Sequence, residues 1–156
     1  MNGDDVENKS EDVCESFAYQ AKTDFKYLVD IYGFELTNEY IDHLNCKIIY
    51  TKSTLKIELD FNIIDELIYL RIFRKSFGDW PMKIDKENVV NFSSLLSAYK
   101  PALSIKDFQP QGWKFEKPLE RISILFREVA SDILSEVKWV SEFELIRMIE
   151  KDRLTN

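Results

Sequence analysis

Residues 55–61 read Leu55-Lys56-Ile57-Glu58-Leu59-Asp60-Phe61, and they alternate apolar and charged side chains without a break. Because successive side chains of a β-strand point to opposite faces of a sheet, this pattern predicts a strand with one buried and one solvent-exposed face. We therefore expect Leu59 to face the core, and Glu58 and Asp60 to face water.

Two neighbouring runs also predict strands. Residues 47–52 contain Ile48, Ile49 and Tyr50, and residues 67–74 are apolar on both faces. A strand that is apolar on both faces needs cover on both sides of its sheet. The linkers between these runs are short and polar, which favours a three-stranded antiparallel meander.

Apolar side chains at helical spacing predict four helices, at residues 16–32, 85–99, 118–137 and after Ser141. Gly33 stops the first helix, Asp85 can cap the second, Pro118 suits the first turn of the third, and Ser141 with Glu144 forms a possible capping box. The sequence thus predicts an α+β fold with an N-terminal helix, the meander, and three C-terminal helices packed on the sheet.

The negative charge of the chain is concentrated at its N-terminus. The 156 residues carry a formal net charge of -7, and residues 1–15 account for -5 of it, with six acidic side chains and one lysine. We expect an acidic tail at residues 1–15 followed by a single domain at residues 16–156. An acidic protein repels nucleic acid and attracts basic partners, so we expect a protein partner and no nucleic acid.

The cysteines and the apolar runs suggest a location. Cys14 falls near the predicted first helix and Cys46 near the first predicted strand, a placement that suggests neither a disulfide framework nor a zinc site. We find no signal peptide and no run near the ~20 apolar residues of a membrane span. These features predict a cytoplasmic protein without membrane association.

Few residues suggest catalytic chemistry. The single histidine, His43, has the neighbours of a surface connection, and no phosphate-binding glycine motif is present. Four carboxylates, Glu58, Asp60, Asp65 and Glu66, could act as acid and base or hold a hard cation. Lys56 shares the strand face of Glu58 and Asp60, and alternating charge on a strand is normally solvated surface. We therefore predict no catalytic residue, metal or cofactor.

Two segments place large aromatic side chains in predicted loops. Residues 77–82 include Trp80, and residues 108–115 include Trp113. Loop aromatics either fold back as plugs of the core or act as anchors in protein interfaces. Both interpretations stay open at the level of sequence.

The segment Phe25-x-x-Leu28-Val29-x-x-Tyr32-Gly33-Phe34, followed by the predicted strands, resembles small bacterial proteins of unassigned function. Some of these look like immunity proteins of polymorphic-toxin systems. The resemblance covers residues 24–75 and implies an inhibitor that binds a cognate toxin. Immunity families share no catalytic motif, so the resemblance transfers no functional residue.

Three functions compete on this basis. The first is a protein-binding module, an immunity-type inhibitor that neutralises a basic toxin and is not an enzyme, with partner-binding residues Glu58, Asp60, Asp65, Glu66, Trp80 and Trp113. The second is an enzyme for a small ligand, with or without a metal, that uses the carboxylates of residues 58–66. The third is a structural protein that self-associates.

Overall fold

The computed structural model describes the backbone of residues 3–41 and 44–155 and the side chains of residues 12–40 and 44–155. His43 lies outside the described residues. Two helices come first, α1 (Gly3–Asp24) and α2 (Lys26–Asp30). The strands follow: β1 (Glu35–Ile41), β2 (Asn45–Lys52), β3 (Leu55–Asn62), β4 (Leu67–Arg74) and β5 (Val89–Asn91). The remaining elements are α3 (Phe92–Tyr99), a 3-10 helix (Ile105–Phe108), α4 (Glu116–Val129), α5 (Ser131–Leu134) and α6 (Glu142–Thr155).

The strands form one antiparallel sheet in the order β1-β2-β3-β4-β5. The α+β class is confirmed, and β2, β3 and β4 correspond to the three predicted strands. Ile48, Leu59 and Leu70 lie side by side across these strands. All three are buried against the helices, so the prediction that Leu59 faces the core is confirmed.

The predicted three-stranded meander was too small, because it missed the two edge strands. The described side chains of β1, residues 35–40, are all exposed. A strand with no buried face has no reason to alternate apolar and polar residues, so its sequence carries no strand period. Strand β5 has three residues and lies within the predicted helix 85–99, which leaves only α3 as helix.

The first helix differs from the prediction at its start and in the middle. Residues 3–15, predicted as a tail, belong to α1, although the side chains of residues 1–11 lie outside the described part. The chain breaks at Phe25 before α2. Gly33 has φ 76°, and Phe34 beyond it donates its N–H to the Leu28 carbonyl at 2.9 Å, so the predicted glycine stop is confirmed.

The C-terminal helices follow the predicted signals with one further break. The predicted helix 118–137 divides at Ala130 into α4 and α5. Half of the capping box before α6 is present, because the N–H of Glu144 donates to Ser141 Oγ at 3.3 Å. Asp85 caps a turn rather than a helix, since its Oδ1 accepts from the N–H of Asn88 at 3.1 Å.

The core lies between the helices and one face of the sheet. Three phenylalanines join its layers: Phe17 of α1, Phe61 of β3 and Phe115 just before α4. Their ring centroids are 5.6 Å apart for Phe17 with Phe61, 5.6 Å for Phe17 with Phe115 and 5.7 Å for Phe61 with Phe115. Such stacked and edge-on pairs add to the stabilisation that ring burial supplies.

A disulfide bond joins Cys14 of α1 to Cys46 of β2, with a Cα–Cα distance of 5.2 Å. The two cysteines lie in different elements, as expected, but the expectation that they suggest no disulfide is wrong. The two residues are 32 positions apart in the chain, and they meet only because α1 packs across β2. Because that contact forms only in the tertiary structure, no local sequence pattern predicts it.

Candidate protein-binding site

The predicted site residues separate into two groups. Asp65 and Glu66 lie in the turn between β3 and β4, where Asp65 is exposed and Glu66 is half-buried. Glu66 Oε2 accepts a hydrogen bond from the N–H of Gly112 at 3.2 Å, which places the turn beside Trp113. Glu58, Asp60 and Trp80 instead lie on the outer face of the sheet, the face away from the helices.

The segment that carries Trp113 is fixed to the edge of the sheet. Strand β5 pairs only with residues 71–73 of β4, so Ile68 lies beyond its reach. At Ile68, the side-chain amide of Gln109 makes the two backbone hydrogen bonds that a neighbouring strand would make. Its Oε1 accepts from the N–H of Ile68 at 2.7 Å, and its Nε2 donates to the carbonyl of Ile68 at 3.0 Å.

A groove of about 1030 Å³ opens between α1 and residues 109–118, and we call it the Trp113 groove. Trp113 is 45% exposed and Tyr19 is 74% exposed, and both line it. The other lining side chains are mostly polar or charged: Glu15, Ser16, Gln20, Gln109, Gln111, Lys114, Phe115, Glu116, Lys117 and Pro118. Exposed aromatics in a concave surface are typical of binding sites.

Backbone geometry presents Trp113 at the rim. Gln111 and Lys114 pair across a tight turn, and Gly112 within it has φ 65°, a conformation that glycine adopts without steric cost. The Glu66 side chain fixes this turn, because its Oε2 accepts a hydrogen bond from the N–H of Gly112. Of the two interpretations of the loop aromatics, interface anchor fits the exposure of Trp113.

The groove itself is neutral and borders the most acidic part of the chain. Glu15 and Glu116 balance Lys114 and Lys117 in its lining. The helix α1 that forms one wall continues N-terminally into the stretch that holds the net charge of -5 over residues 1–15. Of these acidic residues, Glu15 lines the groove.

Glu58 and Asp60 are not exposed, and the prediction that they face water is wrong. They are 6% and 5% exposed. Lys47 lies 3.9 Å from Glu58 and 3.7 Å from Asp60, Lys56 lies 3.5 Å from Glu58, and Arg71 lies 3.6 Å from Asp60. These five side chains form an ion cluster across β2, β3 and β4.

The ion cluster leaves its carboxylates incompletely satisfied. Both oxygens of Asp60 and Oε2 of Glu58 accept no hydrogen bond from the described residues. Burial raises the pKa of Asp60, against the opposing influence of Lys47 and Arg71. Burial also works against the charge of Lys47, but Asp60 and Glu58 outweigh it and raise the pKa of that amine.

Residues 75–88, which we call the Phe77 loop, cover part of the outer face. The Trp80 ring lies 5.1 Å from Lys56 Nζ and 5.0 Å from Lys75 Nζ, measured to its centroid. Lys56 also sits over Phe73, which is fully buried. The predicted cover on both sides of β4 is thus present at Phe73, and Trp80 acts as a plug there.

The tip of the Phe77 loop exposes an aromatic ring completely. Ser76 and Asp79 exchange backbone hydrogen bonds of 2.9 and 3.1 Å around the two central residues Phe77 and Gly78. Both central residues have positive φ, 53° and 84°, which is the geometry of a type I′ turn. Such turns favour Asn-Gly, and a bulky side chain in this conformation is unusual.

Replacing Phe77 with asparagine is expected to raise the free energy of unfolding by about 1 kcal/mol, because asparagine tolerates the left-handed conformation. Urea unfolding monitored by circular dichroism measures the change. Phe77→Ala, which removes the ring but retains the strain, serves as the control and should stay close to the native value. Equal losses of stability in both variants would show that the ring packs against the protein.

Sequence reasoning missed Tyr19 and the special role of Phe77. Tyr19 lies within the predicted first helix but off its apolar stripe, and that offset was the available signal. For Phe77 the signal was a bulky residue directly before Gly78 in a loop. Trp113, a candidate from the sequence, is exposed at the groove, whereas Glu58 and Asp60 were predicted to be exposed and are buried.

Comparison with known proteins finds no matching protein family, no similar curated protein and no similar solved structure. Among the described residues, no helix is long and apolar enough to cross a membrane. The same part of the chain holds no group of three or more His, Cys, Asp or Glu side chains placed to bind a metal ion.

Proposed function

We propose that this protein is a protein-binding module, an immunity-type inhibitor that binds and neutralises a basic toxin. The observation that carries the proposal is the Trp113 groove, where two exposed aromatic rings flank a concave surface beside the acidic helix α1. Aromatic anchors in pockets dominate the energy of protein interfaces.

The anchoring residue is pre-organised for binding. Gly112 is held by Glu66, and Gln109 ties the same segment to β4. A loop backbone that is already fixed loses little conformational entropy when a partner binds. The backbone that carries Trp113 therefore needs little ordering on binding.

Electrostatic steering in this proposal comes from α1 and the β3–β4 turn. The net charge of -7 favours approach of a basic partner. Because Glu58 and Asp60 are buried in ion pairs, they are not available to steer a partner. Asp65 remains exposed next to the groove and takes over that role with the acidic residues of α1.

The cytoplasmic location belongs to the same proposal. The Cys14–Cys46 disulfide weighs against it, since disulfides are rare in reducing compartments and common in secreted or periplasmic proteins. An inhibitor that meets its toxin in an oxidising compartment fits the disulfide better than a cytoplasmic one.

The enzyme alternative loses its main residues. It relied on Glu58 and Asp60 as open carboxylates, but these two side chains are buried in ion pairs with lysine and arginine. A substrate cannot reach Asp60 in this conformation, because both of its oxygens are sealed from solvent.

The test uses the product of the gene immediately upstream, expressed as a candidate toxin. We expect Trp113→Ala to speed dissociation of the complex by about tenfold or more, and Asp65→Lys to slow association mainly at low salt. Surface plasmon resonance separates the two rates. The matched control is Ile124→Ala, which alters an exposed apolar residue of α4 outside the groove. Binding that is unchanged by Trp113→Ala, or no binding to a basic protein, contradicts the proposal.

A further inference from the structure

Two different groups complete the outer edge of β4. Strand β5 pairs with residues 71–73, and the Gln109 side chain bonds to Ile68. Leu70 lies between these two groups and pairs with neither. The edge of the sheet therefore has a gap at Leu70.

The N–H of Leu70 points into this gap. Strand residues direct their backbone polar groups alternately to the two neighbouring strands, so Leu70 points to the same edge as Ile68. Opposite Leu70 the chain turns from β5 into α3 at Phe92, whose carbonyl belongs to the first helical turn. Among the described residues, no group accepts a hydrogen bond from the Leu70 N–H. Since Leu70 is only 4% exposed, an acceptor placed in the gap would satisfy a buried donor.

A cavity of about 300 Å³ opens at the gap, and we call it the Leu70 pocket. It is lined by residues 67–70 of β4, by Phe92 and Ser93 at the start of α3, and by Ile105 and Lys106 of the 3-10 helix. Phe92 is buried and Ile105 is half-buried, whereas Ser93 and Lys106 are exposed and mark the mouth. The volume is at the lower end of the range for small-molecule sites. The pocket can therefore hold a small ligand with an apolar body.

The neighbouring residue Ile68 shows which chemical group fits this edge. Its N–H donates to Gln109 Oε1 at 2.7 Å. A carboxamide oxygen thus satisfies a strand donor only two residues from Leu70. The same group in a ligand would serve the Leu70 N–H.

A neutral acceptor suits the Leu70 pocket better than an anion. Asn91 lines the pocket, and its N–H donates to Glu142 Oε1 at 2.6 Å, so a carboxylate lies close to the wall. Glu142 is 7% exposed, and its charge is poorly screened by solvent. Lys106 at the mouth is exposed, so solvent screens its charge well. A negatively charged ligand would therefore be repelled more by Glu142 than it is attracted by Lys106.

We infer that the Leu70 pocket binds a small, uncharged amide with an apolar substituent. The amide carbonyl accepts from the Leu70 N–H, and the substituent packs against Phe92 and Ile105. Two sources share this chemistry, a free carboxamide and a peptide group beside an apolar side chain. The site goes beyond the proposed function, although Gln109 lines both the Leu70 pocket and the Trp113 groove.

The test follows the backbone amide signals of the native chain by NMR while benzamide, toluene or benzoate is added. Benzamide is expected to bind saturably with a Kd of about 1 mM or lower, to shift the Leu70 N–H signal and to slow its hydrogen exchange. Toluene lacks the carbonyl and benzoate is charged, so each is expected to bind at least about tenfold more weakly. Toluene or benzoate binding as tightly as benzamide overturns the inference, and so does the lack of a saturable change at Leu70.

A pair of matched substitutions locates the ligand. Ile105→Trp fills the Leu70 pocket, and Ile124→Trp places the same side chain on an exposed position of α4 outside it. The first is expected to abolish benzamide binding, and the second to leave it unchanged. Ser93→Trp, at the exposed mouth, repeats the test if Ile105→Trp does not fold. Native affinity for benzamide in a chain whose pocket is filled contradicts the inference.

A blocked leucine, N-acetylleucine N-methylamide, distinguishes the two sources of the amide. Binding of this probe at Leu70 as tightly as benzamide supports a peptide group, whereas binding of benzamide alone supports a free carboxamide. All of these measurements are made without a toxin. Loss of toxin binding in Trp113→Ala, with no probe bound at Leu70, would support the proposed function and overturn this inference. Benzamide binding at Leu70 without any basic partner would do the reverse.

Discussion

Asp60→Ala is expected to lower the free energy of unfolding by about 3–5 kcal/mol, because it breaks a buried ion pair by removing one partner. Lys47 and Arg71 approach the Asp60 carboxylate to 3.7 and 3.6 Å, and both are largely covered. Without Asp60 these two cations remain near only one buried carboxylate, that of Glu58. Urea unfolding followed by circular dichroism measures the loss.

The matched control is Asp65→Ala. Asp65 is exposed in the turn that follows β3, and the turn is closed by its backbone N–H, which donates to Asn62 Oδ1 at 2.8 Å. The alanine variant keeps that hydrogen bond, so we expect a change within about 0.5 kcal/mol. Similar losses at positions 60 and 65 would mean that the ion cluster does not stabilise the sheet.

The pH dependence of the same site has a defined sign. Burial raises the pKa of Asp60 above its ordinary value of 3.8, so the native state binds this proton more tightly than the unfolded state. The resulting stabilisation is complete below 3.8 and is lost as the pH rises through the raised pKa. Relative to Asp60→Asn, the native chain should therefore gain stability on acidification from neutral pH, and a relative loss would contradict the assignment.

The ion cluster also shows where alternation in a sequence stops being informative. The pattern of residues 55–61 correctly separates Leu59 from Glu58, because side-chain direction follows from backbone period alone. Whether the polar face meets water depends on Lys47 and Arg71 from neighbouring strands and on the Phe77 loop. Those partners are set by tertiary structure, so Glu58 and Asp60 were predicted on the correct face but with the wrong exposure.

Strand β1 and the disulfide bond were missed for the same reason, because both depend on tertiary structure. Strand β1 has no buried side chain among residues 35–40, so it carries no period. The Cys14–Cys46 bond depends on α1 lying across β2. By contrast, the stop at Gly33 and the cap at Ser141 were predicted correctly, because each depends only on residues a few positions away.

The candidate site was predictable in part. Trp113 stood out as a large aromatic in a loop, and the structure leaves it exposed at a groove. The groove itself depends on Gln109 and Glu66, which tie a distant segment to the sheet through side-chain hydrogen bonds. Polar residues of this kind have no sequence signature that separates a structural role from ordinary surface.

Phe17→Ala is expected to cost about 3–5 kcal/mol of unfolding free energy, the range for truncating a buried phenylalanine. Phe17 is completely buried, and its ring contacts both Phe61 and Phe115. Its removal opens a cavity where α1, the sheet and the start of α4 meet.

Deletion of residues 2–12 is expected to leave the melting temperature within a few degrees, because this charged stretch has no apolar period.

These two changes divide α1 at the disulfide. Both retain Cys14, so the helix stays attached to β2 in each variant, and the measured difference reports packing rather than detachment. A small loss for Phe17→Ala would show that the disulfide, not the aromatic contacts, holds α1 on the sheet. A large loss for the deletion would instead show that residues 2–12 dock on the domain, and the acidic half of α1 would then belong to the fold as well as to the approach of a partner.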